Sequence, residues 1–212
     1  MRSIRCRQHR RPAVGLARLE DGSPPDQGSG DRAATRNTAA SGGVGRAAIQ
    51  IANQIGAVPI AVTRHTAKQE SLLAAGAAAV IATDREDVAE STRLYTDGNG
   101  VDIILDAVMG PGLADLSLAA KLGGTRATVG WLDPRAASFP ANPSLTVHRY
   151  LAFADMTDPE IVRRVAAFLA AGVRTGVLRP AVDRVFGLDD IIEAHRYLEA
   201  GMSEGKIVVK IH

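Results

Sequence analysis

The chain of 212 residues predicts an α/β fold built on a doubly wound parallel sheet. Three observations carry that expectation. A small-residue loop, Ala39-Ala40-Ser41-Gly42-Gly43-Val44-Gly45, opens directly into an amphipathic run over residues 46–55. From residue 39 onward, short apolar runs of strand length alternate with longer runs of helical period, the rhythm of strand–helix–strand crossovers. Most helical runs stop at a glycine, where a left-handed residue can close the last turn.

Taken in order, Val44, Ala47, Ala48, Ile51, Ala52 and Ile55 form one face of the first helix, which Gly56 ends. Residues 58–62 read as a buried strand in spite of Pro59, which removes a backbone donor. Thr66 and Gln69 stand at capping-box spacing and open a helix closed by Gly76. Residues 79–82 form a short strand, 87–95 a polar helix, and Asp97-Gly98-Asn99-Gly100 a turn. Residues 101–105 are an apolar strand ending at Asp106, 113–122 a helix closed by Gly123-Gly124, and 125–129 the next strand. Thr157 and Glu160 make a second capping box before a helix over 161–171, with Gly172 past its end. A strand at 182–186, a helix at 188–200 ending at Gly201, and a strand at 207–211 after a Gly205-Lys206 turn complete the chain.

A composition 46% hydrophobic and 23% charged belongs to a globular chain long enough for one sizeable core. The net charge of +2 gives no bulk reason to expect a nucleic-acid partner. The single cysteine, Cys6, excludes an internal disulfide and any multi-cysteine zinc site. No apolar run is long enough to span a bilayer. The basic N-terminus lacks the apolar segment of a secretory signal, so a cytoplasmic protein with no membrane partner is expected. Residues 1–36 stand apart from 37–212: they are rich in Arg, Gly, Pro, Asp and Ser and show no apolar period. They read as a basic arm for an acidic partner, as a disordered tail, or as out-of-frame translation of a GC-rich gene.

The glycine loop points to a pyrophosphate. Such a ligand needs a tight turn, a backbone that approaches without a Cβ in the way, and helix N–H groups aimed at negative charge. The pattern is A-x-G-x-x-G, with Ala40 where a first glycine usually stands. In a dinucleotide fold the residue closing the second strand, about 20 positions on, meets the adenosine ribose, and an acid there selects NAD. Here that stretch is Val62-Thr63-Arg64-His65-Thr66-Ala67-Lys68, with no acid until Glu70. Arg64 and Lys68 suit a 2′-phosphate and so NADP; the competing reading is two ordinary surface cations. His65 and His148 have no Cys or carboxylate partner at metal-ligand spacing, so no metal site is expected. His195 and Glu199 read as a surface pair, and Ser41 as a phosphate-loop serine without a nucleophile-elbow pattern.

Several motifs recur together: Ala40-Ser41-Gly42-Gly43-Val44-Gly45; Leu72-Leu73-Ala74-Ala75-Gly76-Ala77; Gly100-Val101-Asp102-Ile103-Ile104-Leu105-Asp106; Gly123-Gly124; Ala194-His195-Arg196-Tyr197-Leu198-Glu199; and Gly205-Lys206-Ile207-Val208-Val209. On these, residues 39–212 resemble the cofactor domain and C-terminal end of the medium-chain dehydrogenase/reductase superfamily. That superfamily is zinc-type alcohol dehydrogenase-like, and the nearest branch is the zinc-independent, quinone-oxidoreductase-like one. The resemblance implies a Rossmann-like domain binding NADP(H), and hydride transfer from NADPH to a small quinone, enone or carbonyl substrate. By position it implies that Ser41, Gly42, Gly43, Val44 and Gly45 hold the pyrophosphate. Thr63, Arg64 and Lys68 would surround the adenosine phosphate, with Thr83 beside the adenine. Ala107, Val108, Val129 and Gly130 would approach the nicotinamide. Asp106 would be structural, Trp131 either a border of the substrate site or a hydrophobic plug, and the chain a homodimer through the sheet edge.

Two family parts are missing from the sequence. Residues 31–38 do not read as an apolar strand, so a proper first strand is expected to be lacking, with these residues at most a substitute. The family's N-terminal catalytic domain also has no counterpart, so catalytic residues stay unassigned. Two other readings stand beside the reductase: a non-catalytic NADP(H)-binding or interaction module, and a non-functional fragment of a frameshifted gene.

Overall fold

The computed structural model describes residues 34–37, 40–138, 144–201 and 203–211. The chain divides into two units, 1–31 and 32–212, and every described residue belongs to the second. The reading of 1–36 as a separate segment therefore falls, apart from residues 34–36, outside the described residues.

Six parallel strands form the main sheet: β1 (Ala34–Asn37), β2 (Val58–Thr63), β3 (Ala79–Ala82), β4 (Val101–Asp106), β5 (Ala120–Thr128) and β6 (Thr146–Arg149). Their order is β3-β2-β1-β4-β5-β6, the Rossmann order, with the winding reversed between β1 and β4. Side chains alternate across the sheet. Ile60 and Val62 join Ile81, Ile104 and Leu116 in one cluster, while Ala61 and Val80 join Ile49 and Leu72 in the other. Helices α1 (Gly43–Gln54) and α2 (Gln69–Ala74) supply Ile49 and Leu72. Helices α3 (Val88–Tyr95) and α4 (Leu113–Leu118) supply Val88 and Leu116 to the opposite cluster.

The expected gap in the sheet is filled. β1 pairs with β2 on one side and β4 on the other, and the Ala34 N–H donates to an Asp102 carboxylate oxygen at 2.7 Å. Sheet bonds are made by the backbone, so Thr35 and Arg36 can occupy a central strand that an apolar pattern rejects. The substitute is short, four residues against six in each neighbour.

Beyond β6 come a short helix α5 (Ala152–Asp155) and α6 (Pro159–Arg174). Then β7 (Val182–Gly187), α7 (Ile191–Glu199) and β8 (Lys206–Lys210) form a second, two-stranded parallel sheet with its own crossover.

Several boundaries differ from expectation for physical reasons. α1 begins at Gly43 and buries Gly45, Ile49 and Ala52, leaving Val44 and Ile55 exposed; the apolar stripe misjudged which face meets the sheet. Neither capping box forms. Thr66 bonds Asp84 instead, through its N–H at 3.0 Å and its hydroxyl at 2.8 Å, and α6 is capped by Asp158, which accepts from the Glu160 N–H at 2.9 Å. α4 stops at Leu118 and β5 starts at Ala120, because a register shift against β4 and Gly123 at φ +75° absorb the extra residues. Gly172 lies inside α6, where Leu178 presses too close for any Cβ, and the left-handed stop is Gly176. β6 and α5 had no sequence signal of their own.

Candidate functional site

The register of the main sheet aligns the carboxyl ends of its strands. Asn37 sits beside Ala61 and Leu105, Thr63 beside Ala82, Asp106 beside Thr128, and Thr128 beside Arg149. Every residue expected at the site lies along this edge or on the loops that leave it, at the switch point where open α/β sheets bind ligands.

Gly42 caps α1 with extended backbone (φ −78°, ψ 173°), offers no side chain to the helix N–H groups, and no acid occupies the first turn. That end of the helix is therefore suited to an anion. Gly45 must be glycine: a Cβ there would lie 2.3 Å from Ala40 Cα. At Gly43 a Cβ would meet Lys206 Cε at 3.0 Å, so the lysine that opens β8 lies over the glycine loop. Ser41 is half-buried, and Val44, 57% exposed, contributes backbone rather than side chain. Sequence reasoning missed Lys206, since only tertiary folding carries residue 206 to residue 43.

Arg46 fastens this region. Its guanidinium donates to the Ser41 carbonyl, to the Ser71 carbonyl and hydroxyl, and to Glu204 at 2.9 Å. One side chain thus joins the glycine loop, α2 and the turn before β8. It too was read only as the start of a helix.

At the end of β2, Thr63 is buried and Arg64 is exposed just beyond it. The Lys68 ammonium donates to the Gly201 carbonyl at 3.3 Å, and a Cβ on Gly201 would lie 3.6 Å from the Arg64 guanidinium. The two cations therefore share one border, the turn after α7. Thr83 is exposed, and its N–H donates to the Thr63 carbonyl at 2.9 Å, which holds it beside the end of β2. The nearby acid, Asp84, is occupied: its bonds from the Thr66 N–H and hydroxyl hold its carboxyl below the usual range.

Farther along the edge, the loops after β4 and β5 are stitched together. Val129 N–H donates to the Asp106 carbonyl, Leu132 N–H to Ala107, and Asp133 N–H to Val108 at 2.9 Å. Asp106 is fully buried and accepts from the N–H groups of Val108 and Met109 at 3.0 and 3.1 Å, a structural role. A cavity of about 170 Å³ opens here between Met109, Val129, Gly130 and Trp131 on one side and Arg149 and Tyr150 on the other. Val129 and Gly130 line it, whereas Ala107 and Val108 anchor the loop instead. Trp131 borders the cavity, with the Arg149 guanidinium 5.8 Å from its ring centroid. Burial first, and a hydrogen bond to Asp155 second, push the Tyr150 phenol upward. Arg126, on β5, is a buried cation that no pattern foretold. It donates to the Ser117 hydroxyl at 3.3 Å; burial lowers its pKa and the Asp106 charge opposes that shift.

Among the described residues no group of three His, Cys, Asp or Glu side chains could hold a metal ion. α7 pairs Arg196 with Glu193 rather than His195 with Glu199. No helix among the described residues is long and apolar enough to cross a membrane.

The strand order, the glycine loop at a helix start and the aligned strand ends define a dinucleotide-binding domain of oxidoreductase type. The chain belongs to the zinc-binding dehydrogenase family, which it matches over residues 75–209. A quinone oxidoreductase-like protein 2 homolog of Nematostella vectensis is 29% identical over 81% of this chain and 49% of its own length. A mycocerosic acid synthase-like polyketide synthase of Mycolicibacterium smegmatis is 31% identical over 81% of this chain and 8% of that protein. Escherichia coli quinone oxidoreductase, solved in complex with NADPH, superposes with a TM-score of 0.75 at 26% identity, covering 84% of this chain and 56% of that one. The chain thus spans about half the length of the oxidoreductases it matches, and what it shares with them is the cofactor-binding part. Zinc, which the family's description names, finds no donor set among the described residues.

Proposed function

We propose that this chain is the NADP(H)-binding portion of an oxidoreductase acting on a quinone, enone or carbonyl compound. The observation that carries the reading is the pairing of an uncapped, acid-free helix start behind Gly42 with Arg64 and Lys68 at the end of β2. The first suits a pyrophosphate. The second suits a 2′-phosphate, which guanidinium binds as a fork and ammonium as a point charge. Gly45 lets the start of α1 pack against the Ala40 backbone, and Lys206 adds a cation over the loop at Gly43. When bound, the cofactor supplies a hydride for a carbonyl-conjugated acceptor. The chain's own residues bind and orient: Arg46 locks the loop, and Asp106 fixes the loop that carries Met109 to the cavity.

Titrating NADPH and NADH against Trp131 fluorescence tests the reading. Tighter binding of NADPH is expected, and equal affinity or a preference for NADH would sink it. Turnover of a quinone by the purified chain separates an enzyme from a binding module.

We also infer a homodimer joined along β6. Among the described residues this strand pairs only with β5, and all four of its residues are exposed. Apolar side chains follow it on the same flank, Leu151 at 58% and Phe153 at 89% exposure. Light scattering on the eluting protein checks this, and a mass of one chain at micromolar concentration would overturn it.

A further inference from the structure

We propose that the cavity between the ends of β5 and β6 is a carboxylate-binding subsite, and that the acceptor it takes is a small molecule bearing a carboxylate held by Arg149. The inference rests on the cofactor reading above, which makes this the acceptor's end of the site.

The lining of the cavity contains one cation, Arg149, and no carboxylate. Arg149 enters none of the ion pairs among the described residues. Asp155, which accepts from the Tyr150 hydroxyl, is not part of the lining. The Trp131 ring centroid lies 5.8 Å from the guanidinium carbon, a cation–π contact, and a guanidinium can hold a carboxylate at two points.

Thr128 and Arg149 are register partners on neighbouring strands, so their side chains leave the same face of the sheet. The Thr128 hydroxyl is enclosed and without a hydrogen-bond partner, so it stands behind the cavity wall rather than against a ligand. A guanidinium beside an indole, with no acid in the lining, forms a seat for a carboxylate on a short unsaturated chain. The volume, about 170 Å³, restricts the ligand to a small molecule.

Trp131 is the only tryptophan of the chain, so its indole N–H gives a single resonance in a ¹⁵N-correlated spectrum of the whole protein. Crotonate and its neutral isostere crotonamide are titrated with and without NADPH. Crotonate is expected to shift the indole signal saturably and to bind at least tenfold more tightly than crotonamide. Arg149→Gln should erase that difference, and Arg149→Lys should keep part of it. The remaining amide signals report whether each variant is folded. Equal binding of the two compounds, or crotonate affinity unchanged in folded Arg149→Gln, overturns the proposal. NADPH that binds while crotonate shows no preference sinks this inference alone; NADPH that fails to bind the wild-type chain sinks the cofactor reading and this inference with it.

Discussion

The main sheet and the C-terminal unit are both parallel β–α–β structures, but they bury different amounts. In the sheet, Ile60, Ile81 and Ile104 are at most 2% exposed, and the helices cover both faces. In the C-terminal unit, Val182, Val185, Ile192 and Leu198 are 47–63% exposed, and α7 buries only Ala194. Yet the less buried region delivers Glu204 to Arg46, Lys206 to Gly43 and the Gly201 carbonyl to Lys68. Burial is concentrated in the sheet, whereas the walls of the candidate site are drawn from both. A region with little core can still shape a site if a few polar contacts pin it in place.

The sharpest way to break this comparison is to truncate one isoleucine in each region. Ile104→Ala, at a fully buried position, should cost about 2–5 kcal/mol through lost burial and a residual cavity. Ile192→Ala, 63% exposed, should stay within about 0.5 kcal/mol. Urea denaturation midpoints measure both, and equal losses would mean that the C-terminal unit is covered in solution.

Arg64→Asp should then remove the preference for NADPH over NADH by about 1–3 kcal/mol, since it deletes a charge-assisted contact made only by the 2′-phosphate. Calorimetric titration of both cofactors reads this directly.

Lys206→Met tests whether the C-terminal unit takes part in binding. It should weaken NADPH and NADH alike, by about 1–2 kcal/mol, because the pyrophosphate is common to both. A loss confined to NADPH would place Lys206 at the adenosine end instead.

The smallest effect concerns pH. Asp84 is held below its ordinary range by the Thr66 bonds. A depressed carboxyl contributes stability above its unfolded pKa and loses it as pH falls through the folded one. Acidification should therefore release the 66–68 turn locally, seen as a smaller protection factor at the Thr66 amide, while the rest of the sheet keeps its own. A Thr66 protection factor unchanged by acid would show that Asp84 does not hold the turn.

The sequence by itself determined the doubly wound class, strands β2 to β5 and the glycine loop, because these depend on local period, helix stops and the tight approach required at Gly45. It also put Arg64 and Lys68 in the segment that follows β2, since their position follows from counting along one strand–helix–strand unit. It could not show that Thr35 and Arg36 sit in a central strand, because pairing on both sides uses the backbone and leaves no apolar signature. It missed β6 for a related reason: all four residues of this edge strand are exposed, so its faces carry no alternation of burial. Only the tertiary structure decided that Arg46 is a clamp, that Lys206 reaches Gly43, that Arg126 is buried, and that Trp131, Thr128 and Arg149 share one cavity. Each of these joins positions on different elements, and such a meeting is set by how helices and sheet pack in three dimensions rather than by any spacing along the chain.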